Sequence, residues 1–361
     1  MVDLDPEKEK MISPKILLVQ WGTRGAGPKL LHYLAENLEK VGAEVLISIS
    51  DVSEISETLN KQYEGQICEI KIGSKLGLLS LRRYLAARKT FLNFVKFHSP
   101  DITVFVMAHP WDLNYRNIGK TISIIHDAHR HPGDSFWPST RAIHRRIQKA
   151  DILIALSTEV LGEISNVGRI SELSTHPIFE FSKISQNLLK DNDVIVIGRQ
   201  RKYKGTELLT DIWPLVLDKL PDTKLIIAGE GKLNSKLSTL GNTTIINRWL
   251  DEYEIDELLT RTKCALFPYI EASQSGVLPA AASKGAKIVV TPVGGLIEQA
   301  HTYGGLVCES ISPDDIAHEV IKALTSQEPA TKSRGSAEVT KSHDLVTLIV
   351  NIALRERSKF E

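Results

Sequence analysis

The 361-residue sequence has few cysteines, no excess of either charge and no long apolar run. Its three cysteines are widely spaced and form no CxxC pair, which argues against a structural zinc site and favours reduced, buried thiols. Lysine plus arginine and aspartate plus glutamate both number 44, so a general nucleic-acid binder is not expected. The apolar runs are far shorter than the ~18 residues of a membrane span. These absences favour a globular protein of the cytoplasm.

The length predicts two domains, at about 150 residues per domain. Continuous apolar stretches at 15–20 and 194–197 are typical of strands buried on both faces. Amphipathic helical patterns alternate with such stretches, and this order predicts parallel sheets. We therefore expect an α/β fold with two doubly wound, Rossmann-like domains.

Four segments follow from these patterns. Residues 1–13 are expected to form a flexible extension, since they mix acidic and basic residues and differ from a secretory signal. An N-terminal domain (14–175) and a C-terminal domain (190–326) are separated where His176–Pro177 interrupts the periodicity. A last amphipathic helix lies within 342–361. Because a lone helix of this length is marginal in water, it is expected to pack on one of the domains.

A glycine-rich stretch, GTRGAG at 22–27, follows the first predicted strand. Glycines after a parallel strand let the backbone approach a ligand, and the start of the next helix favours negative charge. The spacing differs from the dinucleotide-binding GxGxxG pattern. A tight turn that needs positive φ explains the same glycines equally well.

The predicted C-terminal domain repeats this design with cations. The segment GRQRKYKG follows the strand at 194–197; Arg199 comes directly after Gly198, and Lys204 precedes a glycine and a helix. Two cations at the carboxyl end of a strand, beside a helix start, suit a diphosphate. The other two basic residues of the segment are interpreted as solvated loop residues.

A polar loop follows another predicted strand, and a helix of small residues comes next. The residues of this segment that we assign to the site are Glu271, Ser273, Gln274, Ser275, Gly276, Val277 and Leu278. The loop is expected at the same carboxyl-end crevice as the two cations. In the alternative interpretation, Glu271 only caps the helix.

Taken in order, the motifs resemble the retaining nucleotide-sugar glycosyltransferases of the GT-B fold, specifically glycosyltransferase family 4 (glycosyl transferases group 1). The matching pieces are G-R-…-K-G at 198–205, L-I-I-A-G-E-G at 225–231, the acidic loop with glycine at 271–276, and V-G-G-x-x-E at 293–298. The resemblance covers nearly the whole chain. It implies two domains that face a cleft, with the last helix crossing back to the N-terminal domain.

The resemblance also implies roles for donor-binding residues. Arg199 and Lys204 are expected to bind the donor diphosphate, together with the backbone amides of 276–278. The loop at 247–250, which contains Arg248 and Trp249, is expected to border the nucleotide base.

His126 and Glu271 are the residues that we expect at the donor sugar. His126 ends the predicted strand 121–125, and the resemblance places a histidine there near the sugar. On the acceptor side we expect the residues Gly25, Ala26, Gly27 and His109. A capping or core role explains His109 as well.

Three histidines within six residues, His126, His129 and His131, invite a metal site. The resemblance implies no metal and no cofactor, since the nucleotide sugar is a substrate. The sequence offers no carboxylate cluster beyond Asp127 and Asp134 to orient such ligands. We therefore expect a metal-free site.

One departure from the family pattern concerns two glutamates, normally eight residues apart. The residue eight positions after Glu271 is Pro279, and alignment on Gly276 instead puts Ser273 and Ala281 at the two positions. The ribose carboxylate is missing on either alignment. The sugar contact then falls to Glu271 or to the polar side chains that follow it.

The function implied by the resemblance is hexosyl transfer from a nucleotide sugar to a glycan or lipid-linked acceptor, with retention of configuration, in cell-surface polysaccharide assembly. Two basic stretches, a predicted helix at 75–98 and residues 139–149, are either solvated helix faces or a surface that contacts the anionic inner face of the membrane. A catalytically weak relative, acting as a binding partner in a glycan-assembly complex, is the alternative that the missing glutamate motivates. A third is a non-transferase GT-B enzyme, such as an epimerase or phosphorylase.

Overall fold

The structure is a computed structural model that describes residues 13–72, 79–112, 118–129, 138–174, 176–177, 189–327 and 344–358. In these residues the chain forms two parallel sheets, of seven and six strands, with helices around them. The α/β fold with two doubly wound halves is thereby confirmed. No helix of the described ranges is long and apolar enough to cross a membrane.

The N-terminal sheet is built from strands that are buried along most of their length. Its strands are β1 (Lys15–Gln20), β2 (Glu44–Ser50), β3 (Ile67–Ile70), β4 (Ile102–Phe105), β5 (Lys120–Ile125), β6 (Ile152–Ala155) and β7 (Ile170–Leu173). They are ordered β3-β2-β1-β4-β5-β6-β7, and all neighbours are parallel. The accompanying helices are α1 (Ala26–Lys40), α2 (Ser56–Gln62), α3 (Leu79–His98), α4 (Pro138–Lys149) and α5 (Thr158–Ile164).

The C-terminal sheet follows the same plan. Its strands are β8 (Asn192–Ile197), β9 (Leu225–Ala228), β10 (Thr243–Ile246), β11 (Thr262–Phe267), β12 (Lys287–Val290) and β13 (Leu306–Val307), in the order β10-β9-β8-β11-β12-β13. Its helices are α6 (Leu209–Lys219), α7 (Glu252–Thr260), α8 (Leu278–Ser283), α9 (Gly295–Thr302) and α10 (Pro313–Thr325). Every strand pair is parallel.

The candidate motifs all follow strands at their carboxyl ends. The glycine-rich stretch follows β1, His126 follows β5, Gly198 follows β8, and the polar loop follows β11. In a parallel sheet the carboxyl ends of all strands lie on the same side, and doubly wound proteins bind ligands in the crevice outside these ends. The topology therefore brings the motifs of each half together at the carboxyl ends of its strands.

The last helix, α11 (Leu345–Arg357), packs on the N-terminal half, as the sequence predicts. Leu345, Leu348, Ile349 and Ile352 are buried in a common core with α1. Arg357 at its end donates to the carbonyl of Ser13 at 2.9 Å. The apolar face of α11 is therefore covered by the domain in which the chain begins.

Helix α3 contacts the sheet through one narrow face. Ala87, Phe91 and Val95 are buried there. Leu85, two turns before Leu92 on the same helix, is 52% exposed. The described part of α3 therefore carries apolar side chains both toward the core and toward solvent.

Candidate active site

His126, directly after β5, meets the C-terminal domain. Its Nδ1 accepts a hydrogen bond from Nε2 of Gln274 at 2.9 Å, although 148 positions separate the two residues. Gln274 lies in the loop between β11 and α8. Two residues that were predicted for the site from separate motifs are thus in direct contact across the cleft.

Burial keeps the His126 ring neutral. It lowers the pKa of His126 to about 3; His176 acts in the same direction, whereas Asp127 opposes it. The ring of His176 packs against that of His126 with centroids 5.8 Å apart. Nδ1 of His176 donates to the carbonyl of Pro177 at 2.8 Å. A neutral imidazole can position a substrate by hydrogen bonds, and it carries no charge at physiological pH.

Lys204 is held in an aromatic setting after β8. Its ammonium group donates to the Tyr269 hydroxyl and lies 3.9 Å from the centroid of that ring. The Tyr269 hydroxyl in turn lies 3.1 Å from Oγ of Ser275. Burial lowers the pKa of Lys204, and Asp127 of the N-terminal domain raises it. Lys204 therefore lies within electrostatic range of the residue that follows His126.

Gly205 lets the loop of Lys204 close onto the end of β11. Its φ is +65°, and a Cβ on Gly205 would lie 1.8 Å from the carbonyl oxygen of Pro268. Only glycine fits a position that combines positive φ with this approach. The glycine after Lys204 in the motif is thus explained by backbone contact.

Arg199 and Lys204 are neighbours, as the diphosphate prediction requires. Arg199 is exposed at the end of β8, after Gly198. Its charge lowers the pKa of Lys204, which places the two cations within interaction range. One cation is therefore open to solvent and the other is half-buried.

Gln299 of α9 holds the polar loop in place, and sequence reasoning missed it. Its Oε1 accepts the Ser275 amide proton at 2.7 Å, and its Nε2 donates to the Ser275 carbonyl at 3.2 Å. Val277, the cap residue before α8, offers no side-chain acceptor to the first amides of that helix. Gly276 and Leu278 flank this cap, so the amides predicted to bind the donor are not bound by the cap side chain.

Glu271 does not cap α8, so that alternative is wrong. Its Oε1 lies 3.6 Å from Nε2 of His129, whose Nδ1 is 3.1 Å from Glu163. His129 and Glu163 belong to the N-terminal domain. Glu271 therefore faces the opposite domain, and its place at the donor sugar stays a prediction. Ser273, the other candidate for the sugar contact, is buried at 3% exposure.

At two helix starts, one in each domain, a backbone amide donates to a carboxylate of the other domain. Oε2 of Glu159 accepts the amide proton of Gly295, the first residue of α9, at 2.8 Å. Glu298 of α9 accepts from the amide and the hydroxyl of Thr158, the first residue of α5, at 3.1 and 2.6 Å. Negative charge is favourable at a helix start. The V-G-G-x-x-E motif thus supplies a contact between domains.

The glycine-rich stretch lies over the side chain of Gln20. A Cβ on Gly27 would lie 1.8 Å from Nε2 of Gln20. Gly25 has a φ of +92° and donates its amide proton to Glu54 at 2.9 Å, and Ala26 begins α1. The interpretation as a tight turn describes these contacts, and the acceptor-side role stays a prediction.

The loop at 247–250 also reaches the other domain. The guanidinium of Arg24 lies 5.8 Å from the ring centroid of Trp249. Arg248 binds Glu254 through two nitrogens at 2.9 and 2.5 Å. Arg248 is thus engaged by a carboxylate of its own domain, and its place beside a nucleotide base stays a prediction.

His109 stabilises a local turn. Its backbone donates to Oδ2 of Asp112 at 2.7 Å, and its Nδ1 accepts from the amide of Trp111 at 3.2 Å. Burial lowers the pKa of His109. These contacts fit the capping alternative, and its role on the acceptor side stays a prediction.

Arg146 was predicted to belong to a basic surface at 139–149, and for this residue the prediction is wrong. Its side chain is buried and donates to Asp112 Oδ2 from Nε at 3.0 Å and from Nη2 at 2.7 Å. Nη1 donates to the carbonyl of Phe105 at 3.3 Å. A charged residue at this helix position is indistinguishable by spacing from its exposed neighbour Arg145.

No group of three or more potential ligand side chains in the described ranges could hold a metal ion. His131 and Asp134, which entered the metal argument, lie outside those ranges. The expectation of a site without metal or cofactor therefore stays a prediction.

A family model described as glycosyl transferases group 1 matches residues 191–326. An uncharacterised glycosyltransferase of Methanocaldococcus jannaschii is 34% identical to this chain over 86 residues, which are 24% of this chain and 20% of that protein. The matched segment thus spans about one fifth of the length of that relative.

Solved structures resemble the chain over nearly its whole length, at low identity. HepE of Anabaena, in complex with UDP and glucose, is 15% identical with a TM-score of 0.68, over 96% of this chain and 99% of that one. WaaG, a glycosyltransferase involved in lipopolysaccharide biosynthesis, is 16% identical with a TM-score of 0.66, over 94% and 99%. A putative UDP-N-acetylglucosamine 2-epimerase from Listeria monocytogenes is 13% identical with a TM-score of 0.66, over 97% and 98%. Residues 191–326 therefore match the model of the glycosyl transferases group 1 family, in a chain that has the two-domain GT-B fold.

Proposed function

We propose that this protein is a glycosyltransferase that moves a hexosyl group from a nucleotide sugar to a glycan or lipid-linked acceptor, with retention of anomeric configuration. The observation that carries the proposal is the contact of His126 with Gln274 across the cleft, in the neighbourhood of the half-buried Lys204. The family of the C-terminal domain supports a nucleotide-sugar donor.

In this proposal the diphosphate of the donor binds beside Arg199 and Lys204. Charge-assisted hydrogen bonds to phosphate are among the stronger polar contacts in proteins. The same cations stabilise the charge that develops on the departing diphosphate, and they need little reorganisation because Lys204 is already fixed by Tyr269.

The sugar lies between His126 of one domain and Glu271 of the other. The neutral His126 and the carboxylate of Glu271 bind sugar hydroxyls, and neither attacks carbon. The acceptor hydroxyl attacks on the side of the leaving group, and an oxygen of the diphosphate takes its proton. No nucleophilic side chain is required, so the protein contributes positioning and charge stabilisation.

The experiment incubates the protein with UDP-glucose, and in parallel with GDP- and dTDP-sugars, without an acceptor. UDP-glucose comes first because the similar protein HepE was solved with UDP and glucose. We expect slow release of nucleoside diphosphate and of a free sugar whose first-formed anomer matches the donor. A donor that stabilises the protein without being consumed supports the weak relative instead. Conversion of UDP-N-acetylglucosamine to its 2-epimer supports an epimerase.

Binding is measured separately by thermal unfolding. A ligand at 100 times its dissociation constant stabilises the folded state by about 2.7 kcal/mol. We expect one base to raise the melting temperature more than the other two. If no nucleoside diphosphate shifts the melting temperature, the donor site is wrongly assigned.

We also propose that the enzyme works at the inner face of the membrane, in the assembly of a cell-surface polysaccharide. Helix α3 supports this, because Leu81 and Leu85 are 65% and 52% exposed and lie one turn apart. Arg82 and Lys89 are exposed on the adjoining part of the same face. Exposed leucines beside cations suit the surface of an anionic bilayer.

The membrane proposal predicts sedimentation with vesicles. The protein is expected to bind phosphatidylcholine vesicles that contain phosphatidylglycerol, and to bind pure phosphatidylcholine vesicles less. Joint replacement L81S/L85S should reduce binding severalfold, since each exposed leucine contributes apolar area to the contact. The control is Leu354→Ser, an exposed leucine on α11. Equal binding by all three proteins would contradict a docking role of α3.

A further inference from the structure

The contact between His126 and Gln274 determines where the ring proton of His126 resides. An amide nitrogen has two donors and no acceptor, so Nδ1 of His126 must accept the 2.9 Å hydrogen bond from Nε2 of Gln274. A neutral imidazole carries one proton. That proton therefore resides on Nε2, on the far side of the ring.

Two atoms of this pair lack a hydrogen bond within the described ranges. Nε2 of His126 and Oε1 of Gln274 are both buried and have no partner there. A buried polar atom without a partner costs about 1–3 kcal/mol. Such an atom in a folded protein calls for an explanation, and a bond made to a substrate in the catalytic complex is one.

We propose that Gln274 is a positioning residue that fixes His126, from across the cleft, in the tautomer with the proton on Nε2. His126 then presents a directed N–H donor to an oxygen of the substrate. The inference rests on the proposed function for the identity of that substrate, and it deepens the site by assigning to Gln274 a role that acts through His126.

The burial of His126 and its neighbour His176 support a fixed position for the ring proton of His126. Burial disfavours the imidazolium form of His126, so a single proton has to be placed. The adjacent His176 has the opposite tautomer, because its Nδ1 donates to the carbonyl of Pro177, which can only accept. The two packed rings thus carry their protons on different nitrogens.

Because the partners belong to different domains, the tautomer depends on the domains being in contact. When they part, water can serve Nδ1 as donor or as acceptor, and both tautomers of His126 are populated. Gln274 therefore fixes the direction of the His126 N–H donor only while the domains are in contact. In that same arrangement Glu271 also faces the N-terminal domain.

The test is nitrogen NMR of protein labelled with ¹⁵N in its 11 histidines. The His126 signals are assigned by comparison with a His126→Asn variant. We expect a pyridine-like Nδ1 and a pyrrole-like Nε2 for His126, with the reverse pattern for His176 as internal reference. A pyrrole-like Nδ1 of His126 in the unsubstituted protein would overturn the proposal.

Two replacements at the same position make the test sharper. Gln274→Glu offers only acceptors when ionised, so Nδ1 of His126 is expected to become protonated. Gln274→Met has similar length and no hydrogen bond, and mixed tautomers are expected. The control is Gln62→Met at an exposed site on α2. Spectra of His126 that are the same in all variants would refute the role of Gln274.

Kinetics separates this inference from the proposed function. Gln274→Met should lower kcat by about two- to tenfold, the range of one neutral hydrogen bond. The affinity for nucleoside diphosphate, which lacks the sugar, should stay within twofold. If Gln274→Met loses affinity for nucleoside diphosphate as well as kcat, Gln274 has a structural role and the inference is overturned. The expected spectra without any donor turnover would uphold the tautomer and count against the transferase.

Discussion

Replacement of Arg146 by alanine is expected to lower the free energy of unfolding by about 3–5 kcal/mol. The guanidinium is buried and makes two hydrogen bonds to Asp112 and one to the carbonyl of Phe105. Removal of the cation leaves the carboxylate of Asp112 buried without its counter-ion. That uncompensated charge, rather than the lost attraction, accounts for most of the expected change.

Urea unfolding of the variant measures this effect. The control is Arg145→Ala, which removes the exposed neighbouring charge and should change stability by less than about 0.5 kcal/mol. The double variant R146M/D112L replaces the pair by apolar groups and should recover much of the loss. Equal effects of the two arginine replacements would show that Arg146 is not the counter-ion of Asp112.

Replacement of Lys204 by alanine is expected to weaken nucleoside-diphosphate binding by about ten- to a hundredfold. A hydrogen bond to a charged group contributes roughly 1.5–3 kcal/mol, and each 1.4 kcal/mol is about tenfold in affinity. The ammonium of Lys204 is partly withdrawn from water and lies among aromatic rings. A phosphate there meets a cation that has already lost much of its hydration.

Titration calorimetry with UDP and GDP measures this prediction. Lys202→Ala is the matched control, because Lys202 lies in the same short turn and is exposed. Arg199→Ala tests the second cation at an exposed position, where a change of fold is not expected. Unchanged affinity in both the Lys204 and Arg199 variants would place the diphosphate elsewhere.

The fold could be predicted from the sequence because its central strands are short apolar runs between amphipathic helices. Strands β3 and β7 escaped detection, since each mixes polar with apolar side chains at a sheet edge. Helix α5 was missed because it has only seven residues. Strands such as β4, β6 and β9 are equally short, but each is a continuous apolar or nearly apolar run that is fully buried, and this made them visible.

The loops that form the candidate site could be predicted from the sequence. The contacts between their side chains and distant residues could be predicted less well. His126, Lys204 and Glu271 were predicted because each lies in a loop after a strand and matches a motif of the family that the sequence resembles. Gln299 and His176 were missed, because they act through contacts with residues far away in the sequence. A glutamine on a helix or a histidine before a proline carries no local signal of such a contact.

The departure from the family pattern also has a structural form. Pro279 and Ala281, the two positions at which the second glutamate was sought, are buried in α8. Neither side chain can replace a carboxylate at a ribose. In the proposed function, donor binding then depends more on Arg199 and Lys204, which is why their replacement is expected to have a large effect.

Glu159 of α5 and Glu298 of α9 each bind the start of the other helix, and these hydrogen bonds bear on the timing of the proposed turnover. A carboxylate at a helix start contributes roughly 0.3–1 kcal/mol, so the two carboxylates together add about 0.6–2 kcal/mol to the joined arrangement at low salt. A contribution of that size shifts the populations of joined and parted domains by about three- to thirtyfold. Added salt screens exposed charges. If the proposed transfer takes place with the domains joined, higher ionic strength is therefore expected to speed release of the nucleotide product, through two glutamates that lie outside the polar loop.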